Sequence, residues 1–201
     1  MIIILLKLAT IFFFERHELS PPPLKYSCRT AQLHIETANR FMNVVADNYQ
    51  VYSEINPISG EVTFKGLMKS FEFEMGVLDQ AFNSSKIDLS QYSKFSYEGK
   101  LTKLKTINFN QPGTYKVTVN GFLYIGSYKR KTSATGMLTV MPDGNLITEA
   151  DFSIRIEEES MNMINDLMKK KLPSIVALDS DKLGISRDIQ INLKANFRPR
   201  N

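Results

Sequence analysis

The sequence predicts an all-β fold, an antiparallel barrel of about eight strands, on three observations. Apolar and polar residues alternate with period two in run after run, as they do where one face of a strand is buried and the other solvated. The runs are joined by short turns rich in Pro, Gly and Asn. The order of segments has no βαβ rhythm, which a parallel sheet would need.

Composition agrees with a folded chain of this kind. Over 201 residues, 43% are hydrophobic and 23% charged, which is ordinary for a globular domain and excludes a disordered chain. The 13 Phe and 8 Tyr supply aromatic bulk in the absence of Trp, and both residue types favour strands. The net charge of +4 is too small and too dispersed to argue for nucleic acid. Cys28 is the single cysteine, so no intramolecular disulfide forms, and the compartment is left open on that count.

Taken in order, residues 1–14 (MIIILLKLATIFFF) form an apolar run too short to span a bilayer as a helix and read as an export leader, although Lys7 interrupts it. Residues 15–30 read as a linker, with a stiff spacer at Ser20-Pro21-Pro22-Pro23, and the barrel domain is expected over 31–198. Leu33, Ile35 and Thr37 alternate in a first strand, residues 44–52 give a second, and Asn56-Pro57-Ile58-Ser59-Gly60 is a turn. Val62 and Phe64, then Phe71, Phe73 and Met75, alternate as strand, after which Val77, Leu78, Ala81 and Phe82 fall at helical spacing. Strand alternation returns at Phe95, Tyr97, Gly99 and Leu101. The longest clean run is Tyr115, Val117, Val119, Gly121, Leu123 and Ile125. A strand from Thr132 to Met141 ends in the hairpin signal Pro142-Asp143-Gly144-Asn145 and is followed by Leu146 to Ile156. Met161, Ile164, Leu167 and Met168 fit a helix over about 160–171, stopped by Pro173, before a last strand carrying Ile189 to Phe197.

Several of these segments, in this order, resemble the YceI-like family. They are Val45-Ala46-Asp47-Asn48, Gly60-Glu61-Val62-Thr63-Phe64, Lys69-Ser70-Phe71-Glu72-Phe73, Ala81-Phe82-Asn83, Tyr97-Glu98-Gly99, Gly113 to Leu123, and Asp151-Phe152 to Ile156. The resemblance runs from Ala31 to Phe197 and implies a lipocalin-like barrel that binds a polyisoprenoid in the periplasm or another exported location. The chain departs from the family pattern at Ala81 and Gly126, where histidines are usual, at Ser93 in place of proline, and in the lengthened segment around 161–171.

The resemblance further implies non-catalytic binding of an extended apolar lipid, an isoprenoid-type chain, for carriage or storage in the cell envelope, with no cofactor and no metal. The inside of an eight-stranded barrel is either filled by side chains or holds one small ligand. The expected lining is Phe73, Met75, Phe82, Phe95, Tyr97, Tyr115, Val117, Phe152 and Ile154. The alternative is a protein–protein interaction module with a filled core, docking through the 161–171 helix. No catalytic residues are expected: His17 and His34 have no second group nearby in sequence, and His34 falls on the solvated face of its strand. Lys129-Arg130-Lys131 would meet a diphosphate or anionic head group if it borders the barrel mouth. Nucleic acid is not an expected partner, while peripheral membrane contact and a dimer stay open.

Overall fold

The computed structural model describes residues 23–38, 43–76, 79–80, 90–155 and 188–200. The alternating runs become strands β1 (Lys25–Ala38), β2 (Asn43–Ile55), β3 (Glu61–Leu67), β4 (Glu72–Phe73), β5 (Lys94–Leu101), β6 (Gly113–Ile125), β7 (Tyr128–Val140), β8 (Leu146–Arg155) and β9 (Asp188–Arg200). All pairings are antiparallel. The order β1-β9-β8-β7-β6-β5-β3-β2 closes on itself because β1 also pairs with β2. Among the described strands, closure removes the long free edges that would otherwise template pairing with another chain. β4 pairs with Ala46 and Asp47 of β2, beyond the stretch of β2 that β3 covers. β3 and β4 are therefore one interrupted strand of an 8-strand barrel.

Successive strands run up and down, so the barrel has two distinct ends. At the base, the segment between β5 and β6 folds back across the opening through a single 3-10 turn at Leu104–Thr106. Ile107 and Phe109, which follow it, are buried, and the Phe109 ring stacks on Tyr26 of β1 with centroids 5.9 Å apart. At the other end, the mouth, β3 and β5 pair as far as Leu67 and Lys94. There the Met68 N–H donates to the Ser93 carbonyl at 2.9 Å, and the chain turns away through the 3-10 turn Met68–Ser70.

Two interior glycines let the sheet curl. A Cβ on Gly121 would lie 2.2 Å from the Glu98 carbonyl oxygen, and one on Gly136 would lie 2.2 Å from that of Glu149. Neighbouring backbones approach so closely at these points that only glycine fits, the usual device for sharp strand curvature. The β6–β7 connection is a two-residue turn, Gly126-Ser127, with Gly126 at φ 58. A positive φ at the first central residue only is the type II′ hairpin, which glycine favours.

Two sequence expectations are corrected. β1 begins at Lys25, so residues 25–30 are strand rather than linker. A register shift between Cys28 and Ala31 puts Tyr26, Cys28, Ala31 and Leu33 all inside, which breaks the visible period two. The expected strand over Phe71, Phe73 and Met75 shrinks to Glu72–Phe73, because the 3-10 turn before it and a bend at Glu74–Met75 leave only two residues in register. The two expected helices, over 77–82 and 160–171, lie outside the described residues except at Asp79 and Gln80, and neither is confirmed. The leader at 1–14 also lies outside them.

Candidate lipid-binding site

Inward positions of facing strands bring three rings together in the middle of the barrel. Phe64 of β3 stacks on Tyr97 of β5, centroids 5.0 Å apart and planes 12° from parallel. Phe152, from β8 across the lumen, lies 6.2 Å from Phe64 and 6.3 Å from Tyr97. The lumen is bridged at this level. Phe95 and Phe71 extend the aromatic cluster towards the mouth, with centroids 5.6 Å apart.

Burying a tyrosine here requires a partner for its hydroxyl. Tyr97 donates to the Val119 carbonyl of β6 at 3.0 Å. Burial pushes its hydroxyl pKa up to about 12, because the phenolate would be stripped of water. Two more interior polar side chains pin the strands together. Asn48 Nδ2 donates to the Leu67 carbonyl at 3.1 Å while Asn48 Oδ1 accepts the Gln50 N–H at 2.9 Å, and Ser53 Oγ donates to the Thr63 carbonyl at 3.0 Å.

Above the rings the wall changes character. Ile35, Phe73, Ile125 and Ile189 point at the core from four different strands, yet each is only partly buried. The small inward residue Ala46 stands between Ile35 and Phe73 in the register. Tyr128, first residue of β7 at the mouth, has its hydroxyl buried with no hydrogen-bond partner among the described residues. Its neighbours in sequence divide between the two faces: Lys129 is exposed and lies over the outer ring of Phe122 at 4.5 Å, whereas Arg130 is half-buried.

The expected lining residues fall into groups. Phe95, Tyr97, Phe152 and Ile154 are buried in one core cluster, with Phe73, Tyr115 and Val117 packed against it. Tyr115 lies towards the closed base, where its hydroxyl donates to the Asn108 carbonyl at 3.3 Å. Met75 is half-buried beyond the end of β4, and Phe82 lies outside the described residues. Sequence reading missed Ile107 and Phe109, and the half-buried Ile35, Ile125 and Ile189. The signal for the first two was an apolar pair inside an otherwise polar connection.

A surface cleft of about 630 Å³ opens where β3 and β5 part, with Lys65, Leu67, Ser93, Lys94, Ser96 and Tyr124 on its walls. Only Phe95 connects it to the interior cluster. Among the described residues no group of three or more His, Cys, Asp or Glu side chains could hold a metal ion, and no helix is long and apolar enough to cross a membrane.

A polyisoprenoid-binding domain from Saccharophagus degradans, implicated in plant cell wall breakdown, superposes with a TM-score of 0.68 over 88% of this chain and 99% of that one, at 9% sequence identity. The two chains share one fold. It is also the fold that the sequence resemblance implied. The YCEI protein of Campylobacter jejuni aligns more loosely, with a TM-score of 0.48 and 14% identity over 82% of this chain and 89% of that one. No family model and no curated protein matches the sequence.

Proposed function

We propose that the barrel binds an extended apolar lipid chain, of isoprenoid type, in the upper lumen between the Phe64–Tyr97–Phe152 rings and the mouth. The observation that carries this reading is the ring of half-buried apolar side chains, Ile35, Phe73, Ile125 and Ile189, standing above a bridged lumen and a plugged base. The shared fold with a polyisoprenoid-binding domain supports it. Of the expected lining, Phe73, Met75, Phe95 and Ile154 would face the chain, Tyr97 and Phe152 would form its floor, and Tyr115 and Val117 would lie below it.

Burial supplies the affinity. Each CH₂ withdrawn from water is worth about 0.8 kcal/mol, so a five-carbon isoprene unit contributes on the order of 3 kcal/mol before ordering costs. Two or three units give useful binding without any hydrogen bond. Such a site selects by length and width. It carries or stores the chain in the cell envelope, outside the cytoplasm, and performs no reaction on it.

One observation favours a second reading. The three rings that meet across the lumen fill it at that level, as they would in an interaction module whose barrel is solid throughout. Native mass spectrometry before and after organic extraction separates the two. Co-purified lipid, or uptake of added polyprenyl chains at one per barrel, supports the lumen site, and neither is seen if the barrel is solid.

A further inference from the structure

Outside the barrel, the strand registers assemble a surface that the lumen site does not use. Tyr52, Lys65, Ser96, Tyr124 and Lys129 are consecutive partners across β2, β3, β5, β6 and β7, so they form one outward row. Leu67 and Lys94 pair on its mouth side, and Thr63, Glu98, Phe122 and Lys131 lie in register on its other side. The cations sit against rings: Lys65 Nζ lies 5.2 Å from the centre of Tyr52, and Lys129 Nζ lies 4.5 Å from that of Phe122 and 5.4 Å from that of Tyr124. Leu67 and Phe122 are 49% and 39% exposed, high values for large apolar side chains.

The face is predominantly basic. Lys65, Lys94, Lys129 and Lys131 share it with two carboxylates, Glu98 and, at the β2 end of the same row, Glu54, and among the described residues none of the four lysines has an ion-pair partner. The opposite wall is different. There Lys194 pairs with Glu149 at 3.0 Å and Arg155 with Asp188 at 3.6 Å. Asp47 and Glu72, paired across β2 and β4, bound the basic face on one side. The 630 Å³ cleft opens within it, beside Lys65 and Lys94 and three serine side chains, Ser70, Ser93 and Ser96.

We propose that this face docks the protein on an anionic lipid bilayer. Lysines, two of them with their ammonium groups over aromatic rings, and exposed leucine and phenylalanine among them combine the two terms of interfacial binding: attraction to a negative leaflet and shallow burial of apolar side chains. Tyrosine, with an apolar ring and a polar tip, suits the headgroup layer. The hydroxyl-lined cleft between Lys65 and Lys94 would receive a phosphate headgroup. The arrangement does not depend on what the lumen holds, although it would set the barrel mouth beside the membrane.

The test is co-sedimentation of the full chain with vesicles of phosphatidylcholine alone or mixed with phosphatidylglycerol, with a single-stranded oligonucleotide as competitor. Binding is expected only to the mixed vesicles, and it should fall as salt is raised. With each lysine near the surface contributing roughly fivefold, Lys94→Gln/Lys129→Gln should weaken partitioning on the order of twentyfold. Phe122→Ala should weaken it severalfold with charge unchanged, and Lys194→Gln on the far wall should leave it as it is. All four are exposed positions, and circular dichroism verifies that each variant is folded. Equal binding to both vesicle types, no binding to either, no effect of the double variant, or release of bound protein by the oligonucleotide would overturn the proposal.

Discussion

Phe152 of β8 reaches across the barrel to place its ring 6.2 Å from that of Phe64 on β3. Strands that share no hydrogen bond are thus joined through the middle of the lumen. Phe152→Ala should destabilise the fold by about 3–5 kcal/mol, the usual cost of truncating a buried Phe. Urea unfolding measures it. A loss below about 1 kcal/mol would mean that the rings do not hold the two walls together.

Asn48 clamps an irregular stretch of β2 to the last residue of β3 through the Leu67 carbonyl. Asn48→Ala should cost about 1–3 kcal/mol, since it leaves two backbone groups without their side-chain partner in a buried setting. Hydrogen exchange should rise first at Gln50, whose N–H the Asn48 side chain accepts. Unchanged exchange there would contradict the clamp.

The buried Tyr128 hydroxyl has no partner among the described residues, so removing it should stabilise the fold. Tyr128→Phe is expected to raise stability by roughly 1 kcal/mol, the desolvation cost of one unpaired buried group. A fall in the melting temperature would show that the hydroxyl is bonded in solution.

Alkaline pH should unfold the barrel through Tyr97. Its hydroxyl holds its proton to about 12 in the fold, against 10.0 for an ordinary tyrosine. Above pH 10 the unfolded chain therefore binds fewer protons than the native one, and stability falls as pH rises, by up to ~1.4 kcal/mol per unit until the folded value is passed. Tyr97→Phe should flatten that slope. The acid side is governed in part by Glu54, whose pKa is lowered chiefly by the hydrogen bond from Tyr52. Its contribution is present at neutral pH and is lost as pH falls below the ordinary glutamate value.

Much of the barrel was legible because burial on one face writes itself as period two. β6, from Tyr115 to Ile125, and β9, from Ile189 to Phe197, are plain in the sequence. Where the period breaks, legibility stops. The irregularity in β1 after Cys28 hid six residues of strand, and the turn at Met68–Ser70 cut a seemingly continuous run in two. Lining residues were partly legible, since Phe95, Tyr97, Phe152 and Ile154 are inward by alternation. Their height in the barrel was not, because strand stagger decides it, and so Tyr115 was grouped with residues at the other end. The basic face was invisible for the same reason. Lys65, Lys94 and Lys129 are far apart in sequence and become neighbours only through register.

The central claim is that an apolar chain occupies the lumen above the rings and not below them. Because the chain contains no tryptophan, one introduced residue is the sole reporter of its kind. Ile189→Trp places it at the mouth and Tyr115→Trp at the base. On addition of a polyprenyl chain, the emission of the first should shift to the blue and that of the second should stay where it is. A shift at the base alone, at both positions, or at neither would contradict the account.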